Sequence, residues 1–113
     1  MCTQKQAMDI LKKAYCMCSD IFPAPIARIF LYGSYARGDY HEWSDVDILA
    51  TVDIDEAQLP FYRQKAATIA SDLSLEYDIT VSLTIKPVEQ FERYKEVLPF
   101  YSNVIREGIA YAT

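Results

Sequence analysis

The chain has 113 residues, of which 51% are hydrophobic and 24% charged, so it has room for a single domain over residues 1–113 with one core and one site. Its net charge of −5 argues against a surface that grips nucleic-acid backbones, because such a surface needs clustered Lys and Arg. No apolar run approaches the ~20 residues of a membrane helix, and the first residues lack an apolar signal segment. These properties predict a cytoplasmic globular protein that binds neither nucleic-acid backbones nor membranes.

The three cysteines, an odd number, are Cys2, Cys16 and Cys18. Cys16 and Cys18 are two residues apart in a predicted helix, where side chains at that spacing point away from each other. The spacing therefore indicates neither a disulfide nor a zinc site. We expect three reduced thiols that pack in the core or lie on the surface.

The first half of the chain predicts a helix followed by two strands. Thr3 is a suitable N-cap for a helix that runs to about Asp20, since apolar residues recur there at intervals of three and four. Residues 27–32 predict a short buried strand, which Gly33 ends. After a short helical turn, residues 46–52 predict a second strand, because β-branched and aliphatic side chains dominate them.

The second half predicts a long helix, a strand and two short helices. Residues 59–75 form the long helix, with Pro60 in the first turn, where its missing N–H costs nothing. Residues 78–85 alternate apolar and polar side chains, as in a strand with one buried face. Residues 87–95 and 99–108 predict the short helices. This order favours an α/β (α+β) fold, in which helices pack on one face of a small mixed β-sheet.

Two features on neighbouring predicted strands indicate chemistry. The first is Gly33-Ser34 after a buried strand: glycine permits close backbone approach, and N–H groups with a hydroxyl at the start of a helical turn suit a phosphate. The second is the pair Asp45 and Asp47, whose spacing at the start of a strand places both carboxylates on one face. Either feature alone is more often an ordinary loop or a solvated strand end. Their combination favours a functional site.

The carboxylate pair Asp45 and Asp47 predicts a bound cation. Two like charges so close repel each other, and a cation beside them makes it less costly for both to be ionised. Hard carboxylate oxygens suit Mg²⁺ or Mn²⁺. A phosphate-binding turn that faces a carboxylate metal site is suited to metal-assisted phosphoryl or nucleotidyl transfer.

This arrangement resembles the signature of the minimal nucleotidyltransferase family, which belongs to the DNA polymerase β-like superfamily. Gly33-Ser34 is followed by ten residues and then by Asp45-Val46-Asp47, and residues 36–38 (Ala-Arg-Gly) match the fuller family pattern. The resemblance is specific over residues 31–50 and looser elsewhere. It implies the polymerase β-like nucleotidyltransferase fold.

The resemblance also implies roles for these residues. Gly33 and Ser34 would hold the β- and γ-phosphates of a nucleoside triphosphate, while Asp45 and Asp47 would bind two Mg²⁺, with Mn²⁺ as an alternative. A third carboxylate on a neighbouring strand would share one metal and help to deprotonate the attacking hydroxyl. The hydroxyl oxygen would attack the α-phosphate in line, and pyrophosphate would leave.

Asp78 is the candidate for this third carboxylate, because it begins the predicted strand 78–85 with correctly alternating neighbours. Its non-functional interpretation is a turn residue before a strand, and Glu76 is the alternative carboxylate. Ser82 shares the face of Asp78 but cannot replace a carboxylate as a metal-linked base. The absence of a carboxylate here would favour a non-catalytic role.

The loop before the carboxylate pair contains residues with two interpretations each. Arg37 either contacts phosphate or braces the loop by pairing with Asp39 or Glu42. His41, the only histidine, is interpreted as a surface loop residue rather than a catalytic one. Trp43 is interpreted as holding the loop on the core rather than stacking on a base.

The leading hypothesis is an enzyme that transfers a nucleotide, AMP from ATP, to a hydroxyl on a protein. The family resemblance implies a small helical toxin with a HEPN domain as that partner and an antitoxin role for this chain. A second hypothesis is a non-catalytic antitoxin that neutralises its partner by docking alone. A third is a small-molecule nucleotidyltransferase of the aminoglycoside-modifying kind, although those enzymes carry an additional helical domain.

Overall fold

The computed structural model describes residues 2–111. Its first element is helix α1, Gln4–Ile21. Thr3 caps it in a reciprocal box, in which the Thr3 hydroxyl accepts from the Gln6 N–H and the Gln6 side chain accepts from the Thr3 N–H. The buried residues recur at helical spacing along one stripe: Ala7, Ile10, Leu11, Ala14 and Cys18.

The four strands form one mixed sheet in the order β3-β2-β1-β4. Strands β1 (Ile26–Tyr32) and β2 (Val46–Val52) are antiparallel, and the short helix α2 (Ser34–Arg37) lies in their connection. Strand β3 (Val81–Pro87) runs parallel to β2, and β4 (Ile109–Ala110) pairs antiparallel with β1. The mixed sheet that the sequence predicts is therefore confirmed.

The main core lies between one face of the sheet and the two long helices. Helix α3, Leu59–Tyr77, has a proline in its first turn, as expected. It packs beside α1 over the inward residues of the strands. The strand residues in this core are Ile29, Leu31, Val46, Ile48, Ala50, Val52, Val81 and Ile85.

A smaller cluster covers the opposite face of the sheet. Phe30 and Leu49, which alternate with the main-core residues, pack there against helices α4 (Val88–Tyr94) and α5 (Pro99–Glu107). The fold class is confirmed, but the helices do not all lie on one face as the sequence predicts: the long helices share one face, and the two short helices take the other. The reason is that β1 and β2 are apolar on both faces at their centres, so both faces need a cover.

The start of β3 differs from the sequence prediction. Helix α3 continues to Tyr77, and Asp78 ends it in the left-handed conformation, with φ 52° and ψ 47°. The strand then begins at Val81, so the prediction that Asp78 begins this strand is wrong. A non-glycine residue in this conformation is uncommon, and Asp is among the side chains that tolerate it best.

The three thiols are free: Cys16 is exposed, and Cys2 and Cys18 are buried. Burial raises the pKa of the Cys18 thiol to about 12, so it stays protonated. In the part of the chain that the structure describes, no helix has the length and apolarity needed to cross a membrane.

Candidate active site

The site begins at Gly33, between β1 and α2. Gly33 has a φ of +77°, and a Cβ built on it would lie 2.6 Å from Oδ2 of Asp47. Both facts require glycine, because a side chain would suffer backbone strain and would collide with the carboxylate. The turn backbone therefore approaches the Asp47 carboxylate closely, and Ser34 follows at once as the first residue of α2.

Helix α2 is fixed to the rest of the molecule through Tyr35. Its side chain is buried and stacks on Tyr40, with ring centroids 4.5 Å apart. The carbonyl oxygen of Tyr35 accepts a hydrogen bond from the Gln4 side chain at 2.9 Å. Gly38 then turns the chain in the left-handed conformation. The stacking of Tyr35 on Tyr40 and the hydrogen bond from Gln4 thus hold the turn that contains Gly33 and Ser34 in place.

Asp45 and Asp47 lie at the start of β2, where the sequence places them. Asp47 is half-buried and pairs with Tyr32 across the β1–β2 ladder, while Asp45 is exposed just before the strand. Burial raises the pKa of the Asp47 carboxyl, the nearby charge of Asp45 raises it further, and the Arg37 guanidinium opposes both effects. A bound cation would relieve the repulsion and offset the desolvation.

The loop before the pair is ordered by its own hydrogen bonds. The Ser44 hydroxyl accepts from the His41 N–H at 3.0 Å, and Nδ1 of His41 accepts from the Trp43 N–H at 3.2 Å. His41 is therefore a loop residue, as predicted. The interpretation of Trp43 as holding the loop on the core is wrong, because 81% of its surface is exposed. It lies two residues before Asp45, at the edge of the site.

Arg37 is held by two carboxylates. Its Nε lies 3.2 Å from Oδ2 of Asp39, and its Nη1 lies 3.5 Å from Oε2 of Glu107. Pairing with Asp39 is one of the predicted interactions, and the contact with Glu107 of α5 was not predicted. Both ion pairs are partly exposed to solvent and therefore weak.

A cleft of about 260 Å³ opens beside Gly33 and Arg37. Tyr32 lines it from the sheet, and its ring meets Phe100 edge-on at 5.4 Å between centroids. Helix α5 supplies the rest of the wall through Phe100, Asn103, Val104 and Glu107. The sequence indicates no site role for these residues, because they lie some 70 positions from Gly33 and only the packing of α5 brings them close.

The predicted third carboxylate does not join the pair. Asp78 lines a different cleft, together with Cys2 and Glu42. Glu76, the alternative, forms an ion pair with Lys13 of α1. Over residues 2–111, no group of three or more His, Cys, Asp or Glu side chains is arranged to hold a metal ion. A role for Asp78 in transfer stays a prediction that this geometry does not support.

Residues 11–111 match the family model described as the nucleotidyltransferase domain. The chain belongs to this family. The minimal nucleotidyltransferase resemblance seen in the sequence is thereby confirmed, and the chain is a member of an enzyme family that transfers nucleotides.

Two relatives come from Methanocaldococcus jannaschii. The protein named "Putative protein adenylyltransferase MJ0141" is 43% identical over 77 residues, which are 68% of this chain and 76% of the relative. The protein named "Putative protein adenylyltransferase MJ0604" is 36% identical over 83 residues, which are 74% of this chain and 75% of the relative.

Similar solved structures come from toxin–antitoxin systems. One is a crystal structure of a toxin–antitoxin with AMP-PNP, which matches with a TM-score of 0.57 at 21% sequence identity. The match covers 93% of this chain and 73% of the chain in that structure. Another is the crystal structure of a mutant of the toxin–antitoxin MntA-HpeT, which matches with a TM-score of 0.54 at 21% sequence identity. This match covers 88% of this chain and 69% of the chain in that structure. These structures share the fold of this chain.

Proposed function

We propose that this nucleotidyltransferase moves AMP from ATP to a hydroxyl on a partner protein. The observation that carries the proposal is the contact between the Gly33 turn and the Asp47 carboxylate, in a chain whose relatives are named as protein adenylyltransferases. Because of this contact, the backbone that would bind phosphate lies directly beside an oxygen that would bind a metal ion. Nucleotide transfer needs both at one point.

Asp45 and Asp47 would hold Mg²⁺, or Mn²⁺ in its place. The residues fit such an ion, because two hard oxygen donors lie close together and one of them is half-buried with its charge unfavourably desolvated. The ion supplies charge neutralisation at the phosphates. Gly33 and Ser34 bind the β- and γ-phosphates through backbone and hydroxyl, and Arg37 exchanges its exposed carboxylate partners for phosphate oxygens.

The proposed acceptor is a small helical toxin of the HEPN type, for which this chain acts as the antitoxin. Support comes from the toxin–antitoxin structures that share the fold. The exposed Trp43 beside Asp45 gives an aromatic contact point for a protein at the edge of the site. The net charge of −5 suits a protein partner better than a nucleic acid.

Mass spectrometry of the partner, incubated with ATP and Mg²⁺, tests the proposal. We expect a mass gain of one or more AMP groups with the wild type and none with Asp45→Asn/Asp47→Asn. Asp53→Asn/Asp55→Asn is the matched control, since it removes a pair of the same spacing just beyond the other end of β2. Equal transfer by both double variants would refute the assignment of the pair.

The second candidate function is neutralisation by docking without transfer. The observation that favours it is the lack of a third carboxylate at the pair, among the residues that the structure describes. Under this candidate, the wild type would bind the toxin tightly and inhibit it with no change in its mass, and ATP would be dispensable for inhibition.

A further inference from the structure

The strand beside the carboxylate pair determines which groups can share its metal. Strands β2 and β3 are parallel and paired in register, with Asp47 opposite Ser82 and Val46 opposite Val81. Residues paired in this way point their side chains to the same face of a sheet. The side chain beside Asp47 on the neighbouring strand is therefore the exposed Ser82.

No carboxylate lies on this face of β3. The residues that alternate with Ser82 are Thr80, whose carbonyl accepts from the Val46 N–H at 2.9 Å, then Thr84 and Lys86. Near Asp47 this face thus presents hydroxyls, while Lys86, which pairs with Thr51, lies at the far end of the strand.

The nearest acidic residues in sequence are directed elsewhere. Asp78 stands in the left-handed turn that ends α3 and lines the cleft with Glu42. Glu76, in α3, pairs with Lys13 of α1. In residues 2–111 no third acidic, His or Cys side chain completes a metal-binding group with Asp45 and Asp47.

We infer that this site holds one divalent ion with its nucleotide rather than two, because Ser82 occupies the position from which a third carboxylate would bind the second ion. The inference rests on the proposed function. A neutral hydroxyl is a weak ligand for a hard dication and does not ionise near pH 7, so it cannot stand in for a carboxylate. Asp45 and Asp47 would hold this single ion.

The transfer step then lacks the base that a third carboxylate would supply. The acceptor oxygen forms a bond to the α-phosphorus, the bond from that phosphorus to the pyrophosphate oxygen breaks, and pyrophosphate leaves with its electron pair. The hydroxyl proton passes to solvent water. Assistance from such a base is worth about 10²–10⁴-fold in typical enzymes.

Counting bound Mn²⁺ tests this inference without any activity measurement. Electron paramagnetic resonance of free Mn²⁺, in a titration with saturating AMP-PNP, should give one ion per wild-type protein. Ser82→Asp should give two, because it places a carboxylate next to Asp47. Ser71→Asp, which adds the same charge at an exposed position of α3, should give one and controls for non-specific attraction.

The possible results separate the inference from the proposed function. Two ions in the wild type would overturn the inference alone, and loss of the second in Asp78→Ala would assign the missing ligand to Asp78. No bound ion in the wild type would refute the metal site altogether. Ser82 is exposed, so the fold should accept Asp there, but the wild-type count decides the question even if that variant fails to fold.

Discussion

At the scale of single residues, the site depends on one close approach. Asp47 occupies the space that a side chain on Gly33 would need, so the two residues constrain each other. The approach also brings the turn that we propose to bind phosphate to the oxygens that we propose to bind metal. A site in which two such residues touch is sensitive to the addition of a single methyl group.

The first prediction concerns that methyl group. Gly33→Ala should abolish binding of AMP-PNP with Mn²⁺, measured by calorimetry, because its Cβ would lie 2.6 Å from Oδ2 of Asp47. Gly38→Ala is the control: Gly38 also has a positive φ, of +89°, but a Cβ built on it would meet no atom within 4 Å. Both variants should lose about 1–3 kcal/mol of stability from backbone strain, and only Gly33→Ala should lose the nucleotide. Normal binding by Gly33→Ala would contradict the proposed contact.

A second prediction follows from the charge on Asp47. Its pKa is raised in the folded protein, so the folded state binds this proton more tightly than the unfolded state, and the ionised carboxylate destabilises the fold. Asp47→Asn should therefore melt at the same temperature as the wild type, or a few degrees higher, at pH 7 in metal-free buffer. The difference should shrink below the ordinary carboxyl pKa of 3.8, where both states are protonated. A markedly lower melting temperature at pH 7 would show that the carboxylate is structural.

At the scale of elements, the sequence predicts most of the fold, because the relevant signals are local. Thr3 and Gln6 identify the start of α1, and alternation identifies the strands. The sequence fails where packing decides. The continuous apolar runs of β1 and β2 do not reveal that helices cover both faces of the sheet. Helix α3 continues two residues beyond the end that its apolar pattern predicts, so Asp78 ends this helix and does not begin β3.

The candidate site divides in the same way. Gly33, Ser34, Asp45 and Asp47 are predictable because their spacing is a motif, and the structure brings Gly33 and Asp47 together. The wall of the cleft on α5 is not predictable from local sequence, since it depends on how a distant helix packs. The position of Ser82 beside Asp47 does not follow from the sequence alone. It depends on where β3 begins and on the register of β3 with β2, which pairs Ser82 with Asp47.

At the scale of the whole molecule, nucleotide and metal should stabilise the fold only together. The carboxylates repel each other without a cation, and their negative charge would also repel a triphosphate. A ligand that binds only the folded state, at about 100 times its dissociation constant, adds about 2.7 kcal/mol to the free energy of unfolding. For a domain of this size, that corresponds to a rise in melting temperature on the order of 10 °C.

The third prediction is therefore a thermal shift that requires the nucleotide, the metal ion and the carboxylate pair together. AMP-PNP with Mn²⁺ should raise the melting temperature of the wild type, while either one alone should change it by much less. Asp45→Asn/Asp47→Asn should lose the shift, because nothing then couples the ion to the protein. Asp53→Asn/Asp55→Asn should keep it, since those carboxylates lie beyond the opposite end of β2 and have the same spacing. A full shift with AMP-PNP in the presence of a chelator would mean that the nucleotide is held by the turn and Arg37 without the carboxylate pair. The metal assignment would then have to be abandoned, while the phosphate-binding role of Gly33 and Ser34 would stand.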